Sequence, residues 1–423
     1  MRKVHLTLCF LLLLSAGMMK NTASAQVITT DYTWDECRGS ARPYPKEVVF
    51  ATAPDSLRAI MINHVGRHGA RYPASGVHAD EVRSLLLKAK EKRTITPRGS
   101  KLLALTERII TASSGRWGVL DTLGKAEQQG IAMRMYSTFP KLFKNGRINA
   151  ISSYVPRCIM SMYEFTHQIA RLDDRVEIYT QSGHETSRLM RFFKENKMYE
   201  SFAKSDEVKN AISAYADTVM PVIVLRKLLG AGFPLDDINK EETLMAIYSV
   251  IAGTAAMEMR CNPADYLTIE EMNRLWSVFN LKQYLTHSAS AMSMLPAQAS
   301  APLLINMIAT TDSLLAGCDI APVQLRFGHA ETLMPLLALM RVPGCVYETE
   351  DMADVVTGWK DFDIVPMAAN FRFVLFRSRT GRIYVRADLN EIPVAMLPSR
   401  PGELYVPWDD MRSYLKLRLS FMM

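Results

Sequence analysis

Arg67, His68, Gly69, Ala70, Arg71, Tyr72 and Pro73 follow one another in the chain. The heptad sets a histidine between two fixed cations. Histidine attacks as neutral imidazole, whereas arginine stays charged and offers a planar fork of donors matched to phosphoryl oxygens. Arg67, His68 and Arg71 therefore point to phosphoryl transfer. Five of the seven positions carry meaning, and a chance match in a chain of 423 residues is on the order of one in ten thousand. That places phosphoryl transfer ahead of a solvated basic loop. Gly69 and Pro73 suit a sharp turn that brings backbone N–H groups near an anion.

A second constellation lies far downstream, where Gly328, His329, Ala330 and Glu331 separate the alternating run Val323 to Phe327 from the apolar run Leu333 to Met340. His329 and Glu331 then sit at a strand's end and a helix's start, where unpaired N–H groups and the helix dipole favour an anion. Pro335 fits the first turn of that helix. Taken alone, histidine-x-acid is a weak signal. His78-Ala79-Asp80 has the same form, and there Asp80 is better placed to cap the following helix. His184-Glu185 is half of a zinc-peptidase motif, but Arg188 occupies the place of the second histidine. No metal site and no cofactor are expected. His64 reads as a core histidine.

The elements that must position these groups alternate. Leu57 to Val65 reads as a buried strand delivering the heptad at its carboxyl end. Asp80 to Lys92 and Leu123 to Phe143 read as helices, Ile148 to Tyr154 as a strand, Arg157 to Leu172 as a helix and Val176 to Thr180 as a strand. Helices then dominate. Asp236 and Asp237 open one from Ile238 to Met259, and Thr268 to Glu271 is a capping box for another. Pro302 to Leu315 is the return helix, Phe371 to Arg377 and Arg382 to Arg386 form a hairpin, and Trp408 to Leu419 closes the chain. The expected fold class is α/β: a layered α/β/α domain with a central, mostly parallel sheet and an inserted all-α cap. The expected division is a signal peptide at 1–25, phosphatase-type α/β at 26–182, cap at 183–300 and α/β again at 301–423.

Order, spacing and spelling resemble the histidine acid phosphatase family, in its multiple inositol polyphosphate phosphatase branch. His-Ala-Glu at 329–331 carries the branch, because most of the wider family has an aspartate directly after the histidine. Ser152 to Arg157 is the other residue-specific match, and the cap matches by position alone. The resemblance implies that His68 is the nucleophile that becomes phosphohistidine. It implies that Arg67, Arg71, Arg157 and His329 clamp the phosphoryl oxygens, and that Glu331 gives a proton to the leaving alkoxide. Such a donor needs a raised carboxyl pKa or an acidic optimum. Arg188, Arg191, Lys194 and Lys197 would form a basic helical stripe at the start of the cap, gripping the other phosphates of inositol hexakisphosphate (phytate) and lower inositol phosphates. Other readings are a phosphatase of the same chemistry on small sugar phosphates, and a silent polyanion-binding protein.

Composition bounds the partners. The leader expected at 1–25 has Arg2 and Lys3, an apolar run from Leu6 to Leu14, and Ala23-Ser24-Ala25 before Gln26. That run is too short to span a bilayer, so export to periplasm, cell surface or medium is expected. Losing Arg2, Lys3 and Lys20 lowers the formal charge from +7 to +4, too mild for a nucleic-acid binder. A monomer acting on a small polyanion is expected, with no nucleic acid and no membrane span. Cys37, Cys158, Cys261, Cys318 and Cys345 allow at most two disulfides. Their irregular spacing argues against zinc.

Overall fold

The computed structural model describes residues 31–48 and 52–420, so the expected leader lies outside the described residues. Eight strands form one sheet: β1 (Leu57–Arg67), β2 (Arg147–Ser152), β3 (Glu177–Ser182), β4 (Val323–Gly328), β5 (Asn370–Ser378), β6 (Ile383–Leu389), β7 (Ile392–Val394) and β8 (Val406–Pro407). Their order is β3-β2-β4-β1-β5-β6-β7, with β8 on β6. The first four run parallel, and β5 onward pairs antiparallel.

Register brings the motifs together. Arg67 is paired with Gly328 and Ser152 with Phe327. Three parallel strands thus end at the same level, and their next residues, His68, His329 and Ser153, emerge from one edge. That edge is where open α/β sheets place their ligands.

Helices cover both faces, because parallel strands of this composition must bury both. On one face Ile62, Ile148, Leu325 and Phe327 pack with Met162 and Phe165 of the Pro156–Leu172 helix and with Ile131 of the Thr122–Thr138 helix. On the other, Met61 and Val65 pack with Met307 of the Ala301–Leu315 helix and Leu336 of the Ala330–Leu339 helix. A further core joins Val82 and Leu102 to Leu225, Leu244 and Trp276. The helical segment after residue 183 therefore shares its interior with helices that precede it in the chain.

Several element boundaries differ from expectation. The first helix begins at Val77 behind Gly76. Asp80 does not cap it but sits inside its first turn, with its N–H on the Gly76 carbonyl at 2.8 Å. The Leu123 to Phe143 run breaks at Phe139, where Pro140 opens a separate short helix. The expected Ile238 to Met259 helix is shorter, Lys240–Ala252, and Asn239 caps it with its side chain on the Glu242 N–H. Pro97–Ser113 is an additional helix, signalled by Thr96 at the cap and Pro97 at the first position. Pro335 lies beyond the first turn of its helix, where its missing N–H removes the bond that would return to the Glu331 carbonyl.

Gly69 also acts differently from expectation. It has no positive φ, but a Cβ there would come within 2.7 Å of the Gly124 Cα. A Cβ on Gly124 would in turn meet the Ala70 backbone. Two bare backbones cross here, seating the heptad loop on the Thr122–Thr138 helix. Gly124→Ala is expected to cost about 1–3 kcal/mol as overpacking and to displace the loop. Urea denaturation checks the first effect, and loss of phosphate binding the second.

Candidate active site

His68 leaves β1 fully enclosed, at 2% exposure. Its Nδ1 lies 2.9 Å from the Gly69 carbonyl oxygen. A carbonyl only accepts, so Nδ1 carries the hydrogen and Nε2 keeps the lone pair. Burial first, then Arg67, Arg71, Arg157 and His329, hold the imidazole well below its ordinary pKa. The ring is thus neutral throughout the physiological range. The His329 ring stands edge-on to it, 5.7 Å between centroids.

The guanidinium groups lack carboxylate partners. Among the described residues, Arg67, Arg71, Arg157 and Arg191 form no ion pair, and the Nε of each is buried without a hydrogen-bond partner. Arg67 is fixed by the Ser40 carbonyl at 2.7 Å and the Val365 carbonyl at 2.5 Å. The Tyr72 carbonyl holds Arg71 at 2.9 Å. Arg157 reaches His329 Nδ1 at 3.4 Å. Burial, then mutual repulsion, lowers Arg71 to about 9; burial is also the chief cause that lowers Arg67 to about 10. A buried donor without a partner costs about 1–3 kcal/mol. Four of them converging on one edge are suited to the oxygens of an anion.

The loop's backbone takes no part in this. The N–H groups of Arg67, His68, Gly69 and Ala70 donate to the Ala369 carbonyl, the Gly328 carbonyl, Ser161 and Glu127 respectively. The expected approach of loop N–H groups to an anion is therefore corrected: the backbone N–H groups hold the loop, and the unpartnered donors are on side chains. Glu127, its carboxyl raised by burial to about 7, Gln128 on the Arg67 carbonyl at 2.9 Å and Ser161 are supports the sequence reading missed. They lie on helices whose only visible signal was apolar spacing.

His329 issues from β4 and caps the Ala330–Leu339 helix. Its Nε2 lies 3.2 Å from Ser153 Oγ and 3.5 Å from Cys158 Sγ, two further neighbours the sequence did not reveal. Burial, then the arginines and against Glu331, lowers its pKa to about 3. Half-buried Glu331 differs from the raised carboxyl that a lone proton donor would need. Burial pulls it upward, yet His287, His329, its own N–H and Arg67 outweigh that and hold it at about 2. A phosphate dianion entering the same pocket opposes that field and favours the protonated acid.

The basic stripe is not one helical face. Residues 184–203 form three short helices, interrupted at Arg191 and Asn196. Only part of the stripe reaches the site. Arg191 reaches the Tyr154 hydroxyl at 2.6 Å and acts on His329, and Lys194 acts on His287. Arg188 is exposed, while Lys197 pairs with Glu200 at 3.4 Å.

His64 is a core residue against Phe165 and Phe327. The five described cysteines are free, and no metal-binding cluster occurs among the described residues.

A histidine follows each of two adjacent parallel strands, and arginines without ion pairs among the described residues lie around them. The chain is homologous to multiple inositol polyphosphate phosphatase, consistent with the histidine acid phosphatase family. It is 27% identical over 392 residues to multiple inositol polyphosphate phosphatase 1 of Gallus gallus, covering 86% of this chain and 82% of that one. The fold is shared with the Bifidobacterium longum multiple inositol polyphosphate phosphatase in complex with inositol hexasulfate, at TM-score 0.68, 17% identity and 90% and 97% coverage. It is shared also with the phytase from D. castellii, at TM-score 0.68, 18% identity and 97% and 91% coverage. No family model matches the chain.

The neutral histidines link stability to pH. His329 binds a proton less readily folded, at about 3, than unfolded, at about 6.5. Its contribution is complete above pH 6.5 and is lost as pH falls toward 3, on the order of 4–5 kcal/mol in full. His329→Asn is therefore expected to lose less stability than wild type between pH 7 and pH 4, read from urea midpoints.

Proposed function

We propose that the protein is an exported phosphomonoesterase that removes phosphate from phytate and lower inositol phosphates through a phosphohistidine at His68. The observation that carries this reading is the set of four arginines, each with an unpartnered buried Nε, around an imidazole kept neutral. Arg67, Arg71, Arg157 and His329 hold the equatorial oxygens and stabilise the charge spread over the transferring group. His68 Nε2 attacks phosphorus in line with the leaving oxygen, which takes the proton from Glu331. Water then attacks the phosphohistidine, and Glu331 receives its proton.

The substrate class follows from the relatives named above and from Arg191 and Lys194, which extend the positive field past the clamp. Export rests on the sequence of residues 1–25, and no described helix is long and apolar enough to cross a membrane. A mature chain beginning at Gln26 supports export, and retention of the leader counts against it. The molecule is proposed to act as a monomer. The guanidinium groups supply the charge neutralisation, so no metal is needed.

Purified protein is expected to release phosphate from phytate with chelator present, and His68→Ala to release none. Dependence on added metal, or no release by wild type, would contradict the proposal. Glu331→Gln should slow phytate turnover by about 10²–10⁴-fold. Arg191→Ala is expected to weaken phytate turnover more than that of an aryl phosphate, and Arg188→Ala to discriminate less. Equal losses on both substrates for Arg191→Ala would remove it from the substrate site.

A further inference from the structure

Tyr154 lies two residues beyond the end of β2, at the edge from which His68 and His329 also emerge. Its backbone N–H donates to the hydroxyl of buried Ser187 at 3.0 Å, so the main chain is fixed there. The side chain nevertheless stays 45% exposed. So open a ring adds little to the core, and its neighbours are polar. His184 lies beside it, 5.5 Å between centroids. Arg191 engages it twice: Nη1 donates to the Tyr154 hydroxyl at 2.6 Å, and the guanidinium carbon lies 5.0 Å from the ring centroid.

Arg191 can leave the outer face because the helices break at it. It closes His184–Met190 and precedes Phe192–Glu195, with φ −132° and ψ 33°, while Arg188, Lys194 and Lys197 stay exposed. Buried Phe193 also meets it, with the ring centroid 5.9 Å from the Arg191 guanidinium carbon. The same ring stands edge-on to His329, 5.7 Å between centroids. Tyr154, Arg191, Phe193 and His329 thus form one line of contacts from the rim to the clamp. A cation within about 6 Å of an aromatic ring is attracted to its face, so two rings and a hydroxyl together restrain this guanidinium.

A guanidinium carries five N–H groups in a fixed fork. The bond to Tyr154 uses Nη1 and leaves the edge made by Nε and Nη2 outside it. Nε on that edge is buried without a hydrogen-bond partner. Two parallel donors on a planar edge match two oxygens of one phosphoryl group.

We infer that Tyr154 is a specificity-determining residue acting through Arg191, holding the guanidinium so that its Nε–Nη2 edge takes a second phosphoryl group of the substrate while the first lies at His68. This rests on the phosphatase reading above and names the contact that separates polyphosphorylated from singly phosphorylated substrates. Arg67, Arg71 and Arg157 already serve the reacting group. A monophosphate has nothing to place at Arg191, whereas a ring carrying several phosphoryl groups does.

Tyr154 is a positioning residue, so its test must show that it works through Arg191. Steady-state kinetics of the purified protein with phytate and p-nitrophenyl phosphate supply the comparison, with Arg191→Ala as the second arm. Tyr154→Phe keeps the ring and removes the acceptor for Nη1. It should lower kcat/KM for phytate about three- to tenfold more than for the aryl ester, the worth of one hydrogen bond, and through KM rather than kcat. In an Arg191→Ala background the same change should add nothing to that ratio, since residues sharing one contact are not additive. Arg191→Lys, which keeps the charge but not the fork, should follow Arg191→Ala. Equal losses on both esters for Tyr154→Phe, no loss, a full second loss in the Arg191→Ala background, or wild-type behaviour of Arg191→Lys would each overturn the inference alone. A wild type that cleaves the aryl ester but not phytate would overturn the phytate reading and the inference with it. One that cleaves neither would overturn the phosphatase reading itself.

Discussion

Unbalanced positive charge in a confined space is the constraint on which the rest of the site depends. Among the described residues Arg67, Arg71 and Arg157 form no ion pair, and their charges act on one another and on His68. Burial, aided by that field, keeps His68 and His329 neutral, while His287, His329, its own N–H and Arg67 hold Glu331 ionised against burial. Without a ligand the field is costly, since each enclosed guanidinium loses hydration that no ion pair replaces. Affinity for a dianion and strain in the free protein are thus two aspects of one arrangement.

The scaffold resists that repulsion through many neutral contacts. Carbonyl oxygens from Ser40 and Val365 orient Arg67, and Glu127 and Ser161 engage the loop's N–H groups. The Thr332 hydroxyl accepts from the His329 N–H and donates to the Met190 carbonyl, joining the clamp to the helical segment. Such supports fix a side chain without cancelling its charge.

The candidate site was legible in the sequence because its motifs are local. Arg67, His68 and Arg71 lie within one turn of chain, and His329 and Glu331 within another, so residue type and short spacing identify them. The strand Leu57–Arg67 was equally plain from its continuous apolar run. Supporting groups were not legible: Glu127, Gln128 and Ser161 become meaningful only when register and packing bring them beside a motif. His287 closes an otherwise ordinary helix, and nothing in its neighbours marks it. The basic stripe shows the opposite failure, a regular spacing in sequence that breaks at Arg191 and Asn196 does not make a continuous surface. The sign of the Glu331 shift was also beyond reach, since it is set by the sum of distant charges.

The Arg67 guanidinium is held by one carbonyl near the start of the described chain and another some three hundred residues later, at Ser40 and Val365. Its strand is flanked by β4 and β5, both from the last third of the sequence. A ribosome-bound chain therefore contains the heptad long before it contains the carbonyl and the neighbouring strands that position it. The topology makes the seating of Arg67 depend on the final part of the polypeptide.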